Sequence, residues 1–239
     1  MSNIDFSKYN TYHEIFQQPK MWMDTYLRVV EKEKEIFSFL SEFYNDDVTI
    51  VFTGAGTSSF IGNIMTFILP NQNIYNVKSA STTDLTTHSN VIFQNTKKYI
   101  LVSFARSGNS PESIAAVDFA NSICGNKIAH IVITCSENGE LAKRATNKNV
   151  LLLTLSPETN DKGLAMTSSF SSMLLASMLV FDIKNIESKR NEMKELIAKG
   201  EFMISNYFNQ IQKIASKEFD RAVFLGSGEL KGIAEECHL

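Results

Sequence analysis

Val48–Phe60 reads VTIVFTGAGTSSF, and Tyr99–Glu112 reads YILVSFARSGNSPE. Both follow one design: a run of β-formers, a glycine/serine turn, then the opening of an apolar-periodic helix. A helix N-terminus carries roughly half a positive charge and about four unpaired N–H donors. Two such turns on neighbouring strands would make an anion cradle with very little Lys or Arg. Ligands of parallel sheets sit at the carboxyl ends of the strands, so Ser58 and Ser107 are expected on one edge.

The residue types in the turns narrow the anion. Gly54 and Gly56 allow a sharp turn and a close approach to the backbone, and Thr57, Ser58 and Ser59 follow with hydroxyls. In the second turn Ser107 and Ser110 bracket Gly108 and Asn109, and Pro111 and Glu112 suit a first helical turn. Arg106 adds one cation able to pair with phosphate. The plainer alternatives are helix caps for the hydroxyls and a surface ion pair for Arg106. GAGTSS lacks the third glycine of a dinucleotide fingerprint, and neither turn is followed by GK[ST]. Many hydroxyls and little lysine point to a phosphate monoester on a small polar body.

Several strand signals are near-continuous apolar runs, namely Val48–Thr53, Ile74–Val77, Tyr99–Phe104, Ala129–Thr134 and Val150–Thr154. Such runs suit parallel strands buried on both faces. Helical patterns intervene at Ser59–Leu69, Thr82–Phe93, Ser110–Ile123 and Leu141–Thr146, so the fold class is α/β, a three-layer α-β-α domain. Residues 1–19 look irregular, and a helix is predicted from Lys20 to about Phe43. Leu164–Ile183 reads as a long apolar helix opened by Thr167, Ser168 and Ser169, followed by one or two helices over 187–219 with Gly200 a break. The organisation expected is an N-terminal helical segment over 1–47, a first domain over 48–185, linker helices over 186–219 and the start of another domain over 220–239.

That last expectation rests on a repeat. RAVFLGSGELKG at Arg221–Gly232 restates VFTGAGTSSFIG at Val51–Gly62. Val51 corresponds to Val223, Phe52 to Phe224, Gly54 to Gly226, Gly56 to Gly228 and Gly62 to Gly232. The reading is a second α/β domain cut off at its beginning, with an absent part on the order of 100–150 residues. Residues 221–239 are accordingly expected to be disordered or packed on a partner chain, with Val223, Phe224 and Leu225 poorly covered.

Composition excludes several classes. The chain has 239 residues, 44% hydrophobic and 21% charged, with a formal net charge of -3, which disfavours a nucleic-acid surface. Three cysteines without a CxxC pair fit a reduced, cytoplasmic protein. Four scattered histidines show no metal-ligand spacing, so no metal is expected. The N-terminus has no basic and apolar signal regions, and the longest apolar stretch, Met173–Phe181, is too short to span a bilayer. No membrane association is expected.

GAGTSS, SFARSGNSPES and AMTSSFSSM resemble the three loops of the SIS (sugar isomerase) fold. More narrowly, TYHEIFQQPKMW at Thr11–Trp22 and SFARSGNSPES at Ser103–Ser113 resemble the tagatose-6-phosphate ketose/aldose isomerase family, which is itself similar to galactosamine-6-phosphate deaminase/isomerases. The resemblance implies two SIS domains, which would account independently for the repeat. It implies phosphate on Ser58, Ser107 and Ser110 with Thr57 and Arg106 nearby, and Thr167 and Ser168 facing the sugar. In related glucosamine-6-phosphate synthases the proton-transfer base is a glutamate in the helix after the second domain's G-x-G turn. Here Glu236 matches it, whereas Leu230 stands where the first turn has Ser58. The activity implied is aldose–ketose isomerisation of a hexose or hexosamine 6-phosphate, with loss of ammonia from an amino sugar, without a cofactor, in a homo-oligomer. The alternative is a non-catalytic sugar-phosphate sensor. A synthase is disfavoured, because no glutaminase-like domain with an N-terminal cysteine precedes the SIS region.

Overall fold

A computed structural model describes residues 5–238. Two N-terminal helices, α1 (Asn10–Glu31) and α2 (Glu33–Phe43), lead into β1 (Val48–Gly54) and α3 (Thr57–Ile68). Then follow β2 (Val77–Ser79), α4 (Thr82–Ile92), β3 (Lys98–Ala105), α5 (Pro111–Cys124), β4 (Ile128–Thr134), α6 (Glu140–Lys143) and β5 (Val150–Thr154). Helices α7 (Ser168–Phe181), α8 (Arg190–Ala215) and α9 (Glu229–Cys237) complete the order. All strands are parallel, in the spatial order β2-β1-β3-β4-β5. This is the three-layer α/β architecture that the apolar runs predict.

The sheet is buried on both faces because successive side chains point to opposite sides. Ile50 and Phe52 of β1 join Ile100, Val102 and Phe104 of β3 in a core shared with α1, α2, α3 and α7. Val51 and Leu101 face the other way, onto Leu85 of α4 and Ala116 and Ala120 of α5. Polar ties supplement the apolar packing: Trp22 Nε1 donates to Ser171 Oγ at 2.9 Å, and Tyr26 Oη donates to the Ile186 carbonyl at 3.2 Å. The first bond ties α1 to α7, and the second ties it to the segment that follows α7.

Several elements differ from the sequence reading. Helix α1 begins at Asn10 and runs through the buried Pro19. A proline lacks the N–H that would bond Ile15, four residues back. The Gln18 side chain donates to the Ile15 carbonyl instead, at 3.3 Å, so the helix continues. Gly200 does not break α8. A Cβ there would lie 2.6 Å from the Trp22 ring, so the glycine permits close approach of α8 to α1. Strand β2 lies later than predicted, at Val77–Ser79, where it pairs with Ile50–Phe52.

The region around 221–238 departs furthest. Residues 221–227 form no strand, although Val223 and Leu225 are exposed as expected. The segment after them is not disordered: α9 packs on α3 of the same chain, and Asn63 Nδ2 donates to Glu235 Oε2 at 2.8 Å. Gly62 and Gly232 are not equivalents. They stand at different distances from their turns, and Gly232 is needed where α9 meets the Phe60 carbonyl and Ile64.

Candidate functional site

The strand order reverses between β1 and β3, which pair in register from Val48 opposite Lys98 to Gly54 opposite Phe104. Both glycine/serine turns therefore emerge side by side at the carboxyl edge of the sheet, at a topological switch point. Between them lies an open cleft of about 260 Å³. Thr57 and Ser58 line it from the first turn, and Arg106, Ser107, Gly108 and Ser110 line it from the second. The larger cavity of about 620 Å³ lies at the opposite, amino edge, between Phe37, Tyr44, Asp46, Ile74 and Phe181. None of the predicted site residues line it.

The first turn is held by backbone geometry. Gly56 has φ +54°, a conformation in which a Cβ is strained, and it occupies the N-cap position of α3 without a side-chain cap bond. Ser58 is buried at the base of the cleft. In the second turn Ser110 occupies the N-cap of α5, yet its side chain does not cap the helix. Its hydroxyl donates instead to the buried Ser113 hydroxyl, which also lines the cleft. Ser107 Oγ accepts from the Asn109 N–H at 3.4 Å. The hydroxyls of Ser107 and Ser110 are thus not consumed by capping.

A third loop adds a further wall to the cleft. Leu164 and Met166 reach the lining, and the Gly163 carbonyl accepts from Arg106 Nη1 at 3.5 Å. Thr167 and Ser168 are not among the lining residues. Ser168 is fully buried, donating to the Glu14 carbonyl at 2.7 Å and accepting from Gln17 Nε2 at 2.9 Å. The Thr167 N–H is bound to Asp161 Oδ2 at 2.9 Å, and Asp161 also takes the Ser169 N–H and hydroxyl. These hydroxyls and amides open α7 and join it to α1.

Glu236 is likewise not among the lining residues, but α9 brings it beside Thr57 of the first turn. Its carboxyl is pushed up chiefly by burial, and the Thr57 side chain beside it works in the opposite direction. One of its oxygens, Oε2, is buried without a hydrogen-bond partner. Glu235 points along α3 to Asn63 and lies 3.9 Å from Lys231 Nζ. Of the two adjacent carboxylates, only Glu236 reaches the first turn.

Two contributors escaped the sequence reading. Ser113 carries an i,i+3 signal, since it sits one helical turn after Ser110. Glu14 carries none, because its partners Lys162 and Gly163 are 148 and 149 residues away. Among the described residues no cluster of His, Cys, Asp or Glu is arranged to hold a metal, and no helix is long and apolar enough to cross a membrane.

A parallel α/β domain with paired hydroxyl-rich turns at its switch point defines a small class of proteins. The SIS-domain family model matches residues 42–182, and the chain belongs to that family. It is 34% identical over 237 residues to the D-galactosamine-6-phosphate deaminase AgaS of Shewanella sp. (strain ANA-3), covering 96% of this chain and 59% of that relative. The tagatose-6-phosphate ketose/aldose isomerase structure from Escherichia coli superposes with a TM-score of 0.87 at 33% identity, over 96% of this chain and 63% of the other. A Clostridium novyi NT structure, provisionally assigned the same isomerase activity, gives 0.91 at 39% identity over 95% and 58%. The chain thus spans about three-fifths of the length of the curated relatives it matches.

Proposed function

We propose that this protein binds a hexosamine or hexose 6-phosphate and serves aldose–ketose isomerisation, with deamination when C2 carries nitrogen. The observation that carries the reading is the convergence of two glycine/serine turns on one cleft, with the Glu236 carboxyl beside Thr57 of the first turn. Turn amides and the hydroxyls of Ser58, Ser107 and Ser110 hold the phosphate, and Arg106 offsets its charge. Anchoring the phosphate fixes the open-chain sugar, so C1 and C2 occupy one position relative to the protein.

Glu236 is the proton carrier in this reading. Its carboxylate removes the C2 proton of the aldose form, and the electron pair moves to give an enediol, or an enolamine from an amino sugar. Reprotonation at C1 yields the ketose, or a C2 iminium that water hydrolyses to ketose and ammonia. Burial raises the carboxyl from its ordinary value of 4.5, which strengthens it as a base near neutrality. The similarity to AgaS and to the Escherichia coli isomerase supports this substrate class. The small molecule is the partner that the cleft's size and polarity favour, and a homo-oligomer is the proposed assembly.

The test is incubation with a panel of hexose and hexosamine 6-phosphates, assaying ammonia and ketose separately. Ammonia and ketose released in equal amounts from galactosamine 6-phosphate support the deaminase reading. Ketose from an aldose phosphate without ammonia supports simple isomerisation. Saturable binding with no product from any sugar favours the sensor.

A further inference from the structure

Glu14 is a carboxylate buried to 6% exposure in the second turn of α1, far in sequence from either glycine/serine turn. No ion pair engages it among the described residues. A buried carboxylate without a cation must be compensated by hydrogen bonds. Two backbone amides do this: Lys162 N–H reaches Oε1 at 2.5 Å, and Gly163 N–H lies 3.0 Å from Oε1 and 3.2 Å from Oε2. Charge-assisted bonds of this kind are the strong ones.

The residue so held is connected to the cleft on its other side. Gly163 gives its N–H to Glu14 while its carbonyl accepts from Arg106, a lining residue of the second turn. Leu164 and Met166, the next two lining residues, follow immediately along the chain. A carboxylate on the first helix therefore sets where the third loop stands over the two turns.

We propose that Glu14 is a positioning residue for the sugar-side wall of the cleft, clamping the 162–163 amides so that Gly163 meets Arg106 and Met166 faces the turns. The proposal rests on the phosphosugar reading above and adds a residue to it. Glu14 touches no ligand itself. It should govern recognition of the sugar body through Leu164 and Met166 and leave phosphate binding largely intact, because Arg106 loses only its long contact with the Gly163 carbonyl and keeps its place in the second turn beside Ser107 and Ser110.

The test is calorimetric titration of the 239-residue chain with galactosamine 6-phosphate and, separately, inorganic phosphate. Glu14→Gln keeps the size of the side chain and removes the charge. It is expected to weaken galactosamine 6-phosphate by about tenfold, one decade for one charge-assisted bond. Inorganic phosphate should change by less than about threefold, under 0.7 kcal/mol by the same conversion. Hydrogen exchange at the Lys162 and Gly163 amides should speed up. Gly163→Ala provides a second variant with the carboxylate intact, because its Cβ would press on both the Thr11 hydroxyl and Glu14 Oε2 of α1 and displace the loop. It should show the same split between the two ligands even if Glu14→Gln folds poorly. Equal weakening of both ligands in both variants, or no weakening in either, overturns the positioning role alone. A wild-type chain that binds no sugar phosphate overturns the functional reading and this role with it.

Discussion

The chain contains two G-x-G turns, and they differ in everything except the turn. Gly56 has φ 54° and ψ -129°, and Gly228 has φ 57° and ψ -132°, each heading a helix. Before Gly56 runs β1, paired on both sides, with Val51 and Phe52 fully buried. Before Gly228 the corresponding Val223 is 78% exposed and Phe224 49%, and no strand forms. The turn and helix start are local, fixed by glycine conformation and a short hydrogen-bonded ring. A strand exists only where a neighbour supplies the other half of its ladder. The two turns also differ chemically: Ser58 in the first is Leu230 in the second, and only the second helix brings a glutamate toward Thr57.

The contrast is broken most severely by cutting the same side chain at both places. Phe52→Ala should cost about 3–5 kcal/mol, since it opens a cavity in a fully packed core. Phe224→Ala should stay within about 0.5 kcal/mol, as for an exposed site. Denaturant unfolding of both variants checks the pair, and comparable losses would mean that 221–227 is packed in solution.

The second effect concerns the glutamate that the second turn supplies. Glu236→Gln should lower turnover by at least about a hundredfold while phosphosugar affinity stays near wild type. The pH–rate profile of the wild type should rise as Glu236 ionises, above the ordinary carboxylate range, because burial raises its pKa. A crippling Glu235→Gln with a harmless Glu236→Gln would contradict the geometry in which Glu235 is spent on Asn63.

A smaller effect separates the Ser107–Ser110 turn after β3 from a helix cap. Ser107→Ala should weaken phosphosugar binding by about tenfold with unchanged thermal unfolding. Lost stability with unchanged affinity would make the hydroxyl a structural one.

The smallest effect tests how α9 sits on α3. A carboxyl whose pKa is raised in the folded state favours docking while protonated. Docking of α9 should therefore be tightest below about pH 4.5 and loosen as pH rises through the folded-state value. Hydrogen exchange of the α9 amides against pH reads this, and Glu236→Gln should flatten the dependence.

The sheet and both turns were legible because their signals are local. Apolar runs mark strands buried on both faces, and glycines mark the turns that need them. Register followed from the pairing of β1 with β3, which put Ser58 and Ser107 on one edge. What escaped the reading is long-range. Pro19 reads as a helix boundary until Gln18 takes up the Ile15 carbonyl. Gly200 reads as a break until Trp22 packs over it. The family resemblance implies Ser168 facing the sugar, but the Glu14 carbonyl and Gln17 claim its hydroxyl. Strand formation at 221–227 fails for the same kind of reason: its pattern is present, and its pairing partner is not among the described residues.

The most direct test of the central claim is an amide-resolved NMR titration of the chain with galactosamine 6-phosphate, with unphosphorylated galactosamine as the control. The account predicts saturable shifts at both turns together, over residues 54–59 and 105–110, for the phosphorylated sugar only. Shifts confined to the amino-edge cavity around Tyr44 and Phe181, or equal responses to both sugars, would contradict a phosphate cradle built from the two turns.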